Sequence, residues 1–171
     1  TCGPAILAAV LRYFGRSGTE AELAIEAETT PEDGTQLEAM CRVLIQHDLF
    51  ATLADHLDIA LIKQLLRDGA LVVIALQAWA KDLPPLGGYT GEWNAGHYVV
   101  PVAVDKEAVL FEDPAVGGRR AFLTHSEFLE RWHNADSGGV FLRGSGIVVR
   151  GIVPSILNRR GRRLAPPLRM G

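Results

Sequence analysis

Seven consecutive apolar residues, Ala70-Leu71-Val72-Val73-Ile74-Ala75-Leu76, constrain this chain more than any other stretch. Val72, Val73 and Ile74 are β-branched, stiff about χ1 and suited to a pleated surface, so the run reads as a strand. It shows no alternation of polar and apolar residues, as expected of a central strand buried on both faces. Extended to Ala80, the run contains Gln77 and is too short to cross a bilayer. The whole chain has 171 residues, 48% of them apolar, which is enough for one domain with its own core.

Ahead of that strand the pattern is helical. Cys2-Gly3-Pro4 leads directly into Ala5-Ile6-Leu7-Ala8-Ala9-Val10-Leu11-Arg12-Tyr13-Phe14, with apolar residues at helical spacing. Pro4 has a fixed φ and no N–H to lose, so it suits the first helical turn and leaves Cys2 at or beside the N-cap. Gly15 and Gly18 interrupt the helix, and Thr19 with Glu22 forms a capping box that starts a short helix running to about Ala27. After a loop over 29–34, a third helix starts near Thr35, with Leu37, Met40, Cys41, Leu44 and Ile45 on one face. His47 ends it, where an imidazolium suits the helix dipole. A short strand is predicted over 50–53. Asp58 then caps a helix that turns Ile59, Ile62, Leu65 and Leu66 inward and stops at Gly69.

Beyond the central strand, residues 81–96 are rich in Gly and Pro and include Trp93. Their length fits a binding loop or lid as well as a packed surface loop. Strand chemistry returns over 97–104 and 108–113, on either side of a turn at Asp105-Lys106. Thr124 caps a helix with Phe128, Leu129 and Trp132 inward, and strands over 140–142 and 147–153 complete the pattern. Helices lead, antiparallel strands follow and one further helix is inserted, so the class is α+β.

Charge is distributed unevenly. All twenty acidic residues lie at or before Asp136, whereas the last thirty-five residues hold seven arginines and no acid. The cluster Arg159, Arg160, Arg162 and Arg163 suits a nucleic-acid or membrane arm as well as a solvated tail. The tail is the reading taken: a domain over 1–153 and a basic, flexible segment over 154–171, with no nucleic-acid partner. Two cysteines argue against a disulfide scaffold and suit a reducing compartment, so a cytoplasmic location is expected. No secretory signal is visible, and a start at Thr1 instead of Met has the look of a longer protein's segment.

The chemistry gathers around Cys2. A thiol at a helix N-terminus faces unpaired N–H groups and the positive end of the dipole, and both favour thiolate. Such a nucleophile needs a base within about 3 Å or one water, and the base needs a third group to fix its tautomer. His97 and Asp113 are the candidates for base and orienter. If the Asp105-Lys106 turn is three residues long, or a bulge shifts it equivalently, His97 lies directly opposite Asp113, with Cβ atoms roughly 4.5–5.5 Å apart. A two-residue turn instead sends Asp113 to the other face of the hairpin. Pro114 cannot continue a ladder and so ends the strand just past the acid. Cys41 sits mid-helix on a core stripe and reads as structural. His56, His125 and His133 have no evident partner. No C-x-x-C or H-E-x-x-H pattern and no phosphate-binding glycine loop occurs, so neither metal nor cofactor is expected.

Several short motifs, in order, carry a resemblance. They are Cys2-Gly3-Pro4-Ala5 with Leu11-Arg12-Tyr13-Phe14-Gly15, then Asp33-Gly34-Thr35, Gly96-His97-Tyr98-Val99-Val100, Glu112-Asp113-Pro114-Ala115 and Glu127-Phe128-Leu129-Glu130-Arg131-Trp132. With them the chain resembles the papain-like cysteine peptidases that process bacteriocin precursors at double-glycine leaders, a domain often fused to peptide exporters. The resemblance implies a papain-like fold, with N-terminal helices packed on an antiparallel sheet, and a peptide or protein substrate. It also implies Cys2 as nucleophile, His97 as base and Asp113 as orienting acid. In that family a glutamine shortly before the cysteine supplies a donor to the oxyanion hole, and its place lies ahead of Thr1. Gln77, at the end of a core strand, is a poor substitute. The long 81–96 loop and the arginine-rich tail suit a stand-alone relative. Without the glutamine, a second reading is a peptidase-like domain that binds leader peptides or partner proteins without cutting them. Acyl transfer to an amine or thiol would use the same three residues, and the oligomeric state is not legible.

Overall fold

A computed structural model describes residues 2–80, 88–117, 119–135, 139–154 and 167–171. Five helices are found among them: α1 (Cys2–Tyr13), α2 (Glu20–Glu26), α3 (Leu37–Gln46), α4 (Ile59–Arg67) and α5 (His125–Arg131). The strands are β1 (Phe50–Ala54), β2 (Leu71–Gln77), β3 (Gly96–Val104), β4 (Ala108–Glu112), β5 (Arg120–Thr124), β6 (His133–Ala135), β7 (Phe141–Arg143), β8 (Gly146–Arg150) and β9 (Leu168–Arg169). Seven of these strands form one sheet in the order β1-β8-β2-β3-β4-β5-β9, while β6 and β7 pair separately. Within the large sheet every pairing is antiparallel except β5 with β9.

The apolar run became the strand its composition demands. Every residue of β2 is buried, and its side chains alternate between two cores. Leu71, Val73 and Ala75 pack beneath α1, α2 and α3, whereas Val72, Ile74 and Leu76 pack beneath α4 and α5. Burying each of the Leu, Val and Ile side chains among these contributes on the order of 1.5–3 kcal/mol. β2 is therefore apolar from Leu71 to Leu76 because helices cover both sides of the sheet.

Local signals placed most helix ends. Thr19 and Glu22 bond reciprocally at the start of α2, as do Thr124 and Glu127 at the start of α5. Asp58 accepts the N–H of Leu61 to cap α4, and Gly69, with φ +78°, follows it. His47 is the C-terminal cap of α3, and its ring bonds Glu26 at 2.7 Å.

Two inward assignments fail. Ile45 is 53% exposed, while Ala39 and Val43 are buried instead. The reason is that α3 packs against α1, α2, β1 and β8, which widens its buried arc away from Ile45. Leu129 is 54% exposed, while Glu127 and Arg131 on the same helix are buried. The last residues of the chain lie over that face: Arg169 pairs with Glu127, and Arg131 donates to the Gly171 carbonyl at 2.8 Å. The expected flexible tail therefore does not extend to residues 167–171, where β9 pairs with β5 and Met170 is buried. Arg159, Arg160, Arg162 and Arg163 lie outside the described residues, as do residues 81–87 of the long loop. The described end of that loop is tied down. Tyr89 is buried, its N–H donates to Glu130, and Trp93 packs on His133 and Phe141.

Candidate active site

Cys2 is the first residue of α1, and no acidic residue in the first turn opposes the dipole there. Its position depends on its neighbour. A Cβ on Gly3 would come within 2.3 Å of the Thr35 hydroxyl oxygen, so only glycine lets α1 approach Thr35 this closely. Thr35 is itself held from the sheet, because the buried Tyr98 hydroxyl donates to its carbonyl at 2.7 Å. The Cys2-Gly3, Asp33-Gly34-Thr35 and His97-Tyr98 motifs, far apart in sequence, thus meet at one point.

His97 stands second in β3, and Asp113 directly follows β4 with extended backbone, φ −134° and ψ 118°. The two side chains meet: His97 Nε2 donates to Asp113 Oδ1 at 2.6 Å. The route to this contact is not the expected register. Val104 pairs with Val109, so the turn has two residues and falls one position later than Asp105-Lys106. That pairing alone would put Asp113 on the wrong face. An extra residue at Val102 restores the parity, giving Pro101 opposite Phe111 and Val100 opposite Glu112. His97 therefore reaches Asp113 diagonally and not directly across the ladder.

The carboxylate is fully engaged. Asp113 Oδ1 also accepts the N–H of Ala115 at 2.8 Å, and Oδ2 accepts the indole N–H of Trp79 at 3.0 Å. With Nε2 of His97 taken by Asp113, Nδ1 is the nitrogen left for sulfur, and the imidazole lies near enough to Cys2 for each to favour the other's charged form.

These contacts set the charges. Burial raises the pKa of Asp113, but the His97 bond and charge, the Ala115 N–H and the Trp79 indole outweigh it and hold the carboxyl below its usual value. For His97, burial works against the charged ring, but bonds to Asp113 and Cys2 and their charges raise the pKa to about 9. Burial likewise opposes a Cys2 thiolate. The His97 bond, the Tyr98 N–H, the imidazolium charge and the N–H of Cys2 itself prevail, so the thiol titrates below its ordinary value.

The three side chains line an open cleft of about 850 Å³, walled by Ile6 and Arg12 of α1 on one side and by Asn94, Ala95 and Gly96 on the other. Gln77 supports that second wall. It accepts the N–H of Ala95 at 2.9 Å, and its amide donates to the His133 carbonyl and to Asn134 Oδ1. Both amide hydrogens are thus engaged, which leaves Gln77 no donor for an oxyanion. Cys41 is buried inside α3, and burial raises its pKa. His133 bonds the Glu92 carbonyl at 2.7 Å and packs at a tilt against Trp93. Among the described residues no group of three or more His, Cys, Asp or Glu side chains is placed to hold a metal ion. No described helix is long and apolar enough to cross a membrane. No sequence pattern marks the Trp79 contact, because nothing in a sequence relates a tryptophan to an aspartate thirty-four positions later.

Residues 1–135 match the peptidase C39 family. The chain belongs to that family. Two solved structures share its fold at low identity. A protein of Bacillus anthracis described as a C39-like peptidase aligns with a TM-score of 0.65 at 16% identity, covering 90% of each chain. The peptidase domain of Streptococcus ComA, a bifunctional ABC transporter involved in a quorum-sensing pathway, aligns at 0.60 and 16% identity, covering 88% of this chain and 90% of that one. No curated protein matches the sequence. The C39 fold accounts for the layout seen here, with N-terminal helices packed on a largely antiparallel sheet.

Proposed function

We propose that this C39 family member is a cysteine peptidase that cleaves its substrates after a Gly-Gly leader, with Cys2 as nucleophile, His97 as general base and acid, and Asp113 as the group that orients His97. The observation that carries the reading is the bond from His97 to Asp113 beside Cys2, whose thiol the imidazole helps to ionise, inside a cleft open to solvent. Family membership supports the peptidase chemistry and motivates the double-glycine preference.

The thiolate attacks the scissile carbonyl carbon, forming the C–S bond and an oxyanion. The N–H of Cys2, at the first helical position, has no intrahelical acceptor and faces the sulfur, so it can stabilise that charge. The tetrahedral intermediate collapses by breaking the C–N bond, and the imidazolium of His97 protonates the departing amine. Neutral His97 then takes a proton from water, which displaces sulfur and restores the thiolate. Asp113 bonds Nε2 throughout and keeps Nδ1 on the sulfur side.

The test is mass spectrometry of products from a peptide with a Gly-Gly junction, from the same peptide with valines there, and from both with added amine. Cleavage at the Gly-Gly bond that disappears in Cys2→Ala is expected. Cleavage surviving Cys2→Ala overturns the nucleophile, equal cleavage of the valine peptide overturns the specificity, and aminolysis products redirect the reading to acyl transfer. Binding of the peptide with no product overturns the enzyme reading altogether.

A further inference from the structure

Trp79 has a backbone that tryptophan rarely adopts. Its φ is +61°, in the left-handed region, where a bulky residue is strained and persists only when its surroundings hold it. The holding groups can be named. Ala78 N–H donates to the Ala95 carbonyl at 3.0 Å, and Ala80 N–H donates to the Tyr89 hydroxyl at 3.2 Å. Between them, the N–H of Trp79 itself donates to the carbonyl of Gly171 at 2.8 Å.

Gly171 does more than accept that bond. A Cβ on it would come within 2.9 and 3.0 Å of two carbons of the indole's six-membered ring, so the glycine packs directly against the ring. Arg131 donates to the same carbonyl, and its guanidinium stacks 3.9 Å from the centre of the Tyr89 ring. The preceding residues are anchored independently. Leu168 and Arg169 pair with Ala121 and Phe122 of β5, the Met170 N–H donates to the Phe122 carbonyl, and Arg169 pairs with Glu127. From this position the indole N–H reaches Asp113 Oδ2.

We propose that Leu168–Gly171 form a strap that positions Trp79, and that Trp79 is a positioning residue holding Asp113 in the orientation from which it bonds His97. The proposal rests on the reading of Cys2, His97 and Asp113 given above. Its consequence has a definite sign. Without the indole N–H on Oδ2 the carboxylate is free to turn away from His97 Nε2, and a misaligned acceptor supports the imidazolium less well. With that support reduced, the Cys2 thiolate forms at higher pH.

The full chain carrying Trp79→Phe, which removes only the indole N–H and some ring area, is compared with Gly171→Ala, which leaves the indole N–H in place and displaces the ring. The readouts are the pH dependence of Cys2 alkylation by mass spectrometry, kcat and KM on the Gly-Gly peptide, and thermal unfolding. Both variants are expected to move the alkylation midpoint upward by about half to one pH unit and to lower kcat by about tenfold, with KM changed about twofold at most. If wild-type Cys2 is activated and Trp79→Phe leaves its midpoint and kcat unchanged, the positioning role is overturned. If only Gly171→Ala is silent, the strap is overturned. Should Gly171→Ala fail to fold, Arg131→Met removes the other donor to the Gly171 carbonyl and decides the same point. A wild-type Cys2 that titrates like an ordinary thiol would overturn the catalytic assignment itself, which is a separate result.

Discussion

The two cysteines of this chain sit in helices of the same core and have opposite chemistry. Cys2 opens α1, half-buried, where its own N–H, the Tyr98 N–H and the His97 imidazolium all favour the thiolate. Cys41 lies in the middle of α3, 7% exposed, where burial dominates and only the Leu53 N–H offers partial relief, with Glu38 opposing ionisation. Burial pushes both thiols the same way. The difference lies in the partners, because a helix interior has no free N–H groups to offer and a helix N-terminus does. Reactivity here is a property of position on the helix and of what the sheet delivers to it.

The strongest way to break the comparison is to take His97 away from Cys2. His97→Ala is expected to lower kcat/KM on a Gly-Gly peptide by about 10²–10⁴-fold, and to bring the alkylation profile of Cys2 up toward that of a free thiol near pH 8.5. A Cys2 that keeps its low titration after this change would show that the helix terminus alone activates it.

A pH profile sharpens the same point. The thiolate–imidazolium pair exists above the lowered pKa of Cys2 and below the raised pKa of His97, about 9. Activity should therefore rise at pH values below those of an ordinary thiol and fall again near pH 9. A rate that climbs steadily through pH 9 would exclude a protonated His97 from the active form.

Gly3→Ala tests how tightly α1 is seated. The added methyl meets Thr35 at a distance no real Cβ tolerates, so α1 must shift or Thr35 must move. A loss of roughly 1–3 kcal/mol in denaturant unfolding is expected, with Cys2 alkylation slowed by displacement from His97. Gly3→Ala combined with Thr35→Ser removes the Thr35 methyl but keeps the hydroxyl that makes the closest contact, so it should recover little. Substantial recovery would place the strain elsewhere.

The smallest effect belongs to the other thiol. Cys41→Ala should cost about 1 kcal/mol through a small cavity and leave both the alkylation profile of Cys2 and the cleavage rate unchanged. A change in rate would show that α3 transmits packing to the cleft through Thr35.

Much of this was legible in the chain itself. The β2 run, the Thr19–Glu22 and Thr124–Glu127 capping boxes and the Asp58 cap are each encoded within four to seven residues, and each formed where its local chemistry placed it. The family was legible for a related reason, since its motifs are short words in a set order. The failures have a common form. Ile45 and Leu129 satisfy helical spacing, yet which arc of a helix is buried depends on how many neighbours pack around it. Likewise β6 and β9 are too short to carry a pattern, and they form because longer elements present an edge or a face to them.

The contact between His97 and Asp113 shows where the division falls. Residue types and their approximate separation came from the sequence alone, as did the demand that both lie on one face of a hairpin. The turn type, the extra residue at Val102 that restores that face and the diagonal reach between the two side chains came only with the folded sheet. Local preferences are settled by backbone sterics and hydrogen bonds within a turn of chain, and these act before anything else has folded. Register, the burial of Arg131 and Glu127, and the Trp79 bond to Asp113 depend on segments far apart in sequence, whose meeting is decided by the packing of both cores at once.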